Sequence, residues 1–250
     1  MARHRATTLP PPYLKRIWLD PNRANEERDY PFDLPMFRAG NFELRFDRAV
    51  TIIVGENGVG KSTLIEGIAA VAGFDPAGGG PGYRPVDHSR ALERNGDALG
   101  TALRASWLPK VGQGWFFRAE SFFSVARYLD EVHSPYANFL AHSHGEGFLR
   151  FFEERCARPG IFFFDEPESA LSPRRQFDFL KILRSIQAEA RAQVIMATHS
   201  PILMSLPGAR LLLMTRGGLD PVTPGDTAHF RLYREFMLDP AGTIEAMLED

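Results

Sequence analysis

The segment Gly55-Glu56-Asn57-Gly58-Val59-Gly60-Lys61-Ser62 constrains this chain more than any other. It follows the apolar run Val50-Thr51-Ile52-Ile53-Val54 and precedes residues 63–68, which read as the start of a helix. Strand, Gly-x4-Gly-Lys-Ser, then helix is the arrangement of a phosphate-binding loop. Its glycines let the backbone curl until several N–H groups converge on one phosphate, and the helix N-terminus adds the positive end of its dipole. Lys61 can then reach the β- and γ-phosphates, and the Ser62 hydroxyl can hold Mg²⁺. Gly55, Glu56, Asn57, Gly58, Val59, Gly60, Lys61, Ser62 and Thr63 are the expected nucleotide-binding residues.

Bulk properties narrow the remaining choices. The chain has 250 residues, 44% hydrophobic and 24% charged, as in an ordinary globular domain. A net charge of −2 supplies no basic field of the kind that announces nucleic acid, so a nucleic-acid partner has no support from charge. Cys156 is the one cysteine, which excludes an internal disulfide or a cysteine-based metal cluster and suits a reducing, cytoplasmic compartment. No run approaches the roughly 18 apolar residues of a membrane span, and the N-terminal arm lacks the apolar core of a signal peptide. Any membrane role is expected to need a separate partner.

Strands are expected at 14–19, 41–47, 50–54, 115–117, 161–164, 194–197 and 211–214, from short apolar or alternating runs. Residues 21–35 read as a polar loop, and 74–90, with Gly78-Gly79-Gly80-Pro81-Gly82, as a flexible surface stretch. Helices are expected at 122–132, at 147–156 and after Ser172, where Ser172 caps and Pro173 takes the first helical position. Strands alternating with helices predict an α/β fold with parallel strands.

Further segments carry chemistry around the loop. Ile161-Phe162-Phe163-Phe164-Asp165-Glu166 ends a buried strand in two carboxylates, at the strand end where open α/β sheets bind ligands. Asp165 is expected to hold Mg²⁺ together with Ser62, since hard cations prefer oxygen. Glu166 can polarise an attacking water, and His199, after the apolar strand at 194–196, can bond the γ-phosphate and hold that water. Ser143-His144-Gly145-Glu146 opens a helix and serves either as a capping box or as an anion site. Ser169-Ala170-Leu171-Ser172 is a turn leading into the next helix. Phe37, Phe42 and Phe46 are available to stack on a base, although alternation would bury Phe42 and Phe46 together.

In this order the segments resemble the ABC ATPase superfamily, from about Phe42 to Ser205, and more narrowly its stand-alone, SMC-like and RecF-like members. The resemblance implies a P-loop NTPase fold. It would comprise an ABC-type head with a mixed sheet core, an antiparallel β-subdomain and a small helical subdomain. Residues 1–250 would be one domain, with about 14–73 and 158–250 the nucleotide-binding core and about 114–157 the helical signature subdomain. It implies a Walker A loop from Gly55 to Ser62, Asp165 as the Walker B residue, Glu166 as the catalytic base and His199 as the switch histidine. Ser143, His144, Gly145 and Glu146 would form the signature acting on a second copy, with His144 and Glu146 in place of the usual glycine and glutamine. Ser169, Ala170, Leu171 and Ser172 would form the D-loop, with Ser172 for the usual aspartate. Glu120 falls where the lid glutamine normally stands, with Gln113 a weaker candidate.

The implied activity is Mg²⁺-dependent ATP hydrolysis driving an ATP-dependent homodimer. Rival readings are a nucleotide-binding subunit of an ABC transporter, a DNA-maintenance head, and a nucleotide-gated binding module. The roughly 80 residues between loop and signature hold no heptads, so no long coiled-coil arm is expected. No Asn-Lys-x-Asp segment supports a GTPase. Partner contacts are expected in the glycine-rich stretch or after Met214.

Overall fold

The computed structural model describes residues 8–23, 29–38, 40–76, 78–80, 95–118 and 144–249. Its centre is a six-stranded mixed sheet. The strands are β3 (Val50–Val54), β5 (Gly114–Arg118), β6 (Gly160–Asp165), β7 (Ala192–Ala197), β8 (Arg210–Thr215) and β9 (Gly218–Pro221), in the order β5-β6-β7-β3-β8-β9. All neighbours run parallel except β8 and β9, which form an antiparallel hairpin. β3, β6 and β7 are buried at every position, which explains why they read as continuous apolar runs.

A second, antiparallel sheet of three strands, β2-β1-β4, is formed by β1 (Leu14–Leu19), β2 (Glu43–Arg45) and β4 (Leu103–Trp107). It closes over one face of the main sheet with α1 (Pro35–Arg38), α2 (Lys61–Ala72) and α3 (Asn95–Ala102), sharing a core with Ile53, Ile65, Ile68, Phe116 and Phe163. The opposite face packs against α4 (His144–Cys156) and α5 (Pro173–Glu189). An aromatic stack fills that layer. The Phe117 and Phe164 rings lie parallel at 4.9 Å, and Phe152 sits 4.2 Å from Phe164. The spacing of Phe148, Phe152 and Cys156 along α4 therefore marks a core face, and all three are buried.

One polar side chain joins the two sheets. Gln193 on β7 is fully buried, and its Oε1 accepts from the backbone N–H groups of Tyr13 and Leu14, both at 2.8 Å. Its Nε2 donates to the Leu14 carbonyl at 3.0 Å. The amide thus acts as a surrogate strand edge, satisfying backbone groups that would otherwise be buried unpaired.

Several expectations change. The stretch 74–90 is not wholly a surface loop: Gly78, Gly79 and Gly80 are buried, and Gly79 forms an antiparallel bridge with Phe116 beside β5. The Trp115 ring occupies the space where a Cβ on Gly80 would stand, so the glycine permits that approach. Helix α3, strands β4 and β9, and the two C-terminal helices were not anticipated. The expected helix at 122–132 lies outside the described residues. C-terminal to β9, α6 (Ala228–Leu238) and α7 (Pro240–Glu249) form a helical hairpin with no buried residue.

Gln193→Leu leaves two buried N–H groups and a carbonyl unpaired. It is expected to destabilise the fold by about 3 kcal/mol, read as a lowered urea midpoint with an unchanged slope.

Candidate functional site

The site forms where β3, β6 and β7 end side by side. Register brings these ends level, with Asp165 beside Ala197 and Ala197 beside Ile53. The phosphate loop leaves β3 here and returns as α2. Gly55 is required because a Cβ there would lie 2.4 Å from the Met214 carbonyl oxygen on neighbouring β8. Gly60, at φ 98°, takes the left-handed turn that aims α2 back across the sheet. It caps α2 without contributing a side chain, so the first N–H groups of the helix face the loop.

Lys61 is almost fully buried, and its Nζ donates to the Glu56 carbonyl at 2.9 Å, curling over the loop. Burial lowers its pKa, while the carboxylates of Glu166, Asp165, Glu56 and Glu168 oppose that shift. A lysine so placed, in a loop of amide donors, is set to meet an anion.

The Ser62 hydroxyl donates to Asp165 Oδ1 at 3.0 Å, so the loop and the β6 carboxylate meet across the mouth of the site. A hydroxyl and a carboxylate at that separation are oxygen donors of the type Mg²⁺ takes, since it binds through few protein groups and completes its shell with phosphates and water. Among the described residues no group of three or more His, Cys, Asp or Glu could hold a metal by itself. A cation here would therefore need the nucleotide as a ligand.

Behind Asp165 lies a charge cluster that sequence reading missed. Arg118, its register neighbour on β5, pairs with Glu66 at 2.8 Å and places Nε 4.0 Å from Asp165 Oδ2. Glu66 Oε2 also accepts the Gly96 N–H at 3.0 Å. α2, α3 and β5 are thus tied together beneath the loop by groups that are nearly all buried. Buried charge of this kind persists only when paired.

Glu166 has φ 50°, a left-handed conformation that is strained for a residue with a side chain. It is held there by its N–H donating to the Ala197 carbonyl and by its own carbonyl accepting the Ser169 hydroxyl at 2.5 Å. The kink turns the Glu166 side chain out of the strand and towards His199, whose Nε2 lies 3.5 Å from Glu166 Oε1.

Glu168, two residues on, was not anticipated as a site residue. Its carboxylate accepts the Thr198 hydroxyl at 2.7 Å and the His199 backbone N–H at 2.6 Å, fixing the loop that carries the histidine. Burial raises its pKa, and these two hydrogen bonds oppose the rise. Ser200 completes the anchor, donating to Gln176 Oε1 on α5 at 2.5 Å and accepting the Ile202 and Leu203 N–H groups. Glu166-Pro167-Glu168 after a buried strand was the available signal, read only as far as its first carboxylate.

Ser169 and Ala170 lie in a 3-10 turn, Pro167–Ala170. Leu171 is buried, and Ser172 caps α5 by accepting the Arg175 N–H at 3.4 Å. His144, Gly145 and Glu146 open α4, while Ser143 and Glu120 lie outside the described residues. Gln113 precedes β5, and its carbonyl accepts the Ile161 N–H. Phe37, Phe42 and Phe46 are all buried, and the first two pair edge to face at 4.9 Å. Their burial leaves none of the three to stack on a base. Tyr30 is instead the aromatic beside the loop. It is partly exposed, and its hydroxyl bonds the Thr63 hydroxyl.

A second histidine stands beside the first. His229, in the opening turn of α6, places its ring 5.5 Å from that of His199 and 5.1 Å from that of Tyr233. Burial is the main cause that lowers the His199 pKa. Lys61 and His229 add to it, and Glu166 and Glu56 oppose it. His199 is therefore expected to titrate below the ordinary histidine value of about 6.5. Held neutral, it contributes its full stabilisation above that value and loses it as the pH falls through its own pKa. An NMR titration should show this, with the resonance assigned by its loss in His199→Gln. His229→Ala should move that pKa upwards, because it removes both a neighbouring positive charge and some of the cover.

Two family models match the chain. Residues 35–98, which hold the phosphate loop, match "AAA domain". Residues 136–205, which hold Asp165, Glu166 and His199, match "AAA domain, putative AbiEii toxin, Type IV TA system". No curated protein matches. Matches among solved structures include "a putative metal-chelate type ABC transporter" in an inward-facing conformation, at 16% identity and TM-score 0.44, covering 75% of this chain and 77% of that one. Another is cbiO1 from Clostridium perfringens, which belongs to the ABC transporter complex cbiONQ, at 17% identity and TM-score 0.42, covering 95% of this chain and all (100%) of that one. The phosphate loop thus lies in one AAA-domain match, and the carboxylates and histidine lie in the other.

Proposed function

We propose that the protein binds ATP with Mg²⁺, hydrolyses it, and uses the cycle to join and separate a pair of its own copies. The observation that carries this reading is the convergence of the Ser62–Asp165 pair with the Glu166–His199 pair beside one loop of amide donors. Phosphoryl transfer needs little covalent help from the protein. It needs phosphates held, charge compensated and water aimed.

Gly55 to Thr63 would hold the phosphates, with Lys61 turning from the Glu56 carbonyl to them. Ser62 and Asp165 would hold Mg²⁺, which when bound neutralises charge on the phosphate oxygens. Glu166 would accept the proton of the attacking water. A neutral His199 can hold that water through Nε2, while its backbone stays fixed by Glu168. Tyr30, tethered to Thr63, stands where a nucleotide would leave the loop. Ser143, His144, Gly145 and Glu146 would act on the nucleotide of the second copy, and Ser169 to Ser172 would pass the state of the site between copies. No helix among the described residues is long and apolar enough to cross a membrane, and we place the protein in the cytoplasm.

Glu166→Gln should retain ATP affinity, lose about 100-fold or more in turnover, and accumulate as a dimer with Mg-ATP. Phosphate-release assays and light scattering read the two effects, and turnover within a few-fold of the parent would refute the role of Glu166. Lys61→Ala acts earlier, removing the buried charge aimed at the phosphates. ATP affinity by calorimetry should fall at least about tenfold, a loss of about 1.4 kcal/mol, and chelating Mg²⁺ from the parent should abolish turnover. Unchanged affinity in Lys61→Ala would count against the loop assignment.

A further inference from the structure

We infer that the C-terminal hairpin α6–α7 is a docking surface for the hairpin of a second copy, a contact separate from closure over the nucleotide. α6 rests on the body through Phe230 and the His229–His199 ring contact, yet the two helices carry Leu232, Phe236, Met237, Leu238, Met247 and Leu248 exposed, the last at 82%. Their facing sides enclose an apolar groove of about 610 Å³. Apolar surface gathered in this way marks an interface rather than a solvated face.

Charge selects the occupant. α6 carries Arg231 and Arg234 against a single acid, Glu235, whereas α7 carries Glu245 and Glu249 and no basic residue. Two copies related by a twofold axis would set the basic helix of each against the acidic helix of the other, so the surface is complementary to itself. Helices of 11 and 10 residues present a face of about 16 Å by 20 Å, or about 320 Å². That is short of the roughly 800 Å² per partner in stable complexes, so the hairpins alone should associate in the micromolar range.

The surface is also continuous with the nucleotide site. A second cavity, of about 350 Å³, is lined by Glu56 of the phosphate loop together with His229, Leu232 and Met247 of the hairpin. Thr227 holds the root of α6, its hydroxyl accepting the Phe230 N–H at 3.2 Å, next to His199. Hairpin pairing would hold two sites near each other before nucleotide arrives, and it does not depend on ATP hydrolysis.

Sedimentation velocity of the full chain without nucleotide, from about 1 to 100 µM, tests it. The parent should pass from monomer to dimer across that range, and Met237→Glu with Leu248→Glu should stay monomeric with unchanged ATP affinity. The chain reversed on α6 (R231E with R234E) and the chain reversed on α7 (E245R with E249R) should each be monomeric alone and form a dimer when mixed. A parent that is monomeric throughout overturns the proposal and assigns the groove to a different partner. A dimer that survives the double glutamate change, or reversed chains that fail to pair, overturns it as well. Loss of ATP binding by the parent would refute the proposed function while leaving the hairpin result intact.

Discussion

Everything at this site depends on three parallel strands ending level. β3, β6 and β7 deliver a glycine loop, a carboxylate pair and a histidine to the same height because their ladders run in register. A slip of one residue would turn each side chain to the opposite face and separate Ser62 from Asp165. The register is guarded by burial on both faces, where Phe163 packs with one core and Phe164 with the other. The aromatic residues between the two cores thus belong to the site as much as the polar ones do.

The next requirement is to keep charge buried without losing it. Lys61, Asp165, Glu66, Arg118 and Glu168 all lie close together, in an environment that penalises each alone. Specific partners offset the carboxylates: Arg118 for Glu66, Ser62 for Asp165, and the Thr198 hydroxyl and His199 amide for Glu168. In front of this paired cluster stand Glu166, on its strained φ, and His199, under its burial-lowered pKa.

His229 extends the constellation beyond the sheet. It joins the histidine loop to α6 through a ring contact with His199 at 5.5 Å, and within α6 its ring lies 5.1 Å from that of Tyr233.

The sequence by itself determined the phosphate loop, the strand ending in Asp165-Glu166, the strand before His199 and the N-cap of α5, because each is a local pattern with a local physical cause. Glycine spacing, apolar runs and an N-cap serine are read within a dozen residues. Tertiary structure alone decided the rest. Glu66, Arg118, Tyr30 and His229 come from separate elements and nothing in their neighbours marks them, while Glu168 was signalled only by its place after Glu166-Pro167. Gln193 reads as one polar break in an apolar strand until Tyr13 and Leu14 arrive from the far end of the chain. The burial of Gly78, Gly79 and Gly80 was hidden for the same reason: a glycine run looks flexible until a tryptophan elsewhere needs the space. Local patterns specify elements, but which polar groups lose water together depends on packing between distant segments, and only the folded chain settles that.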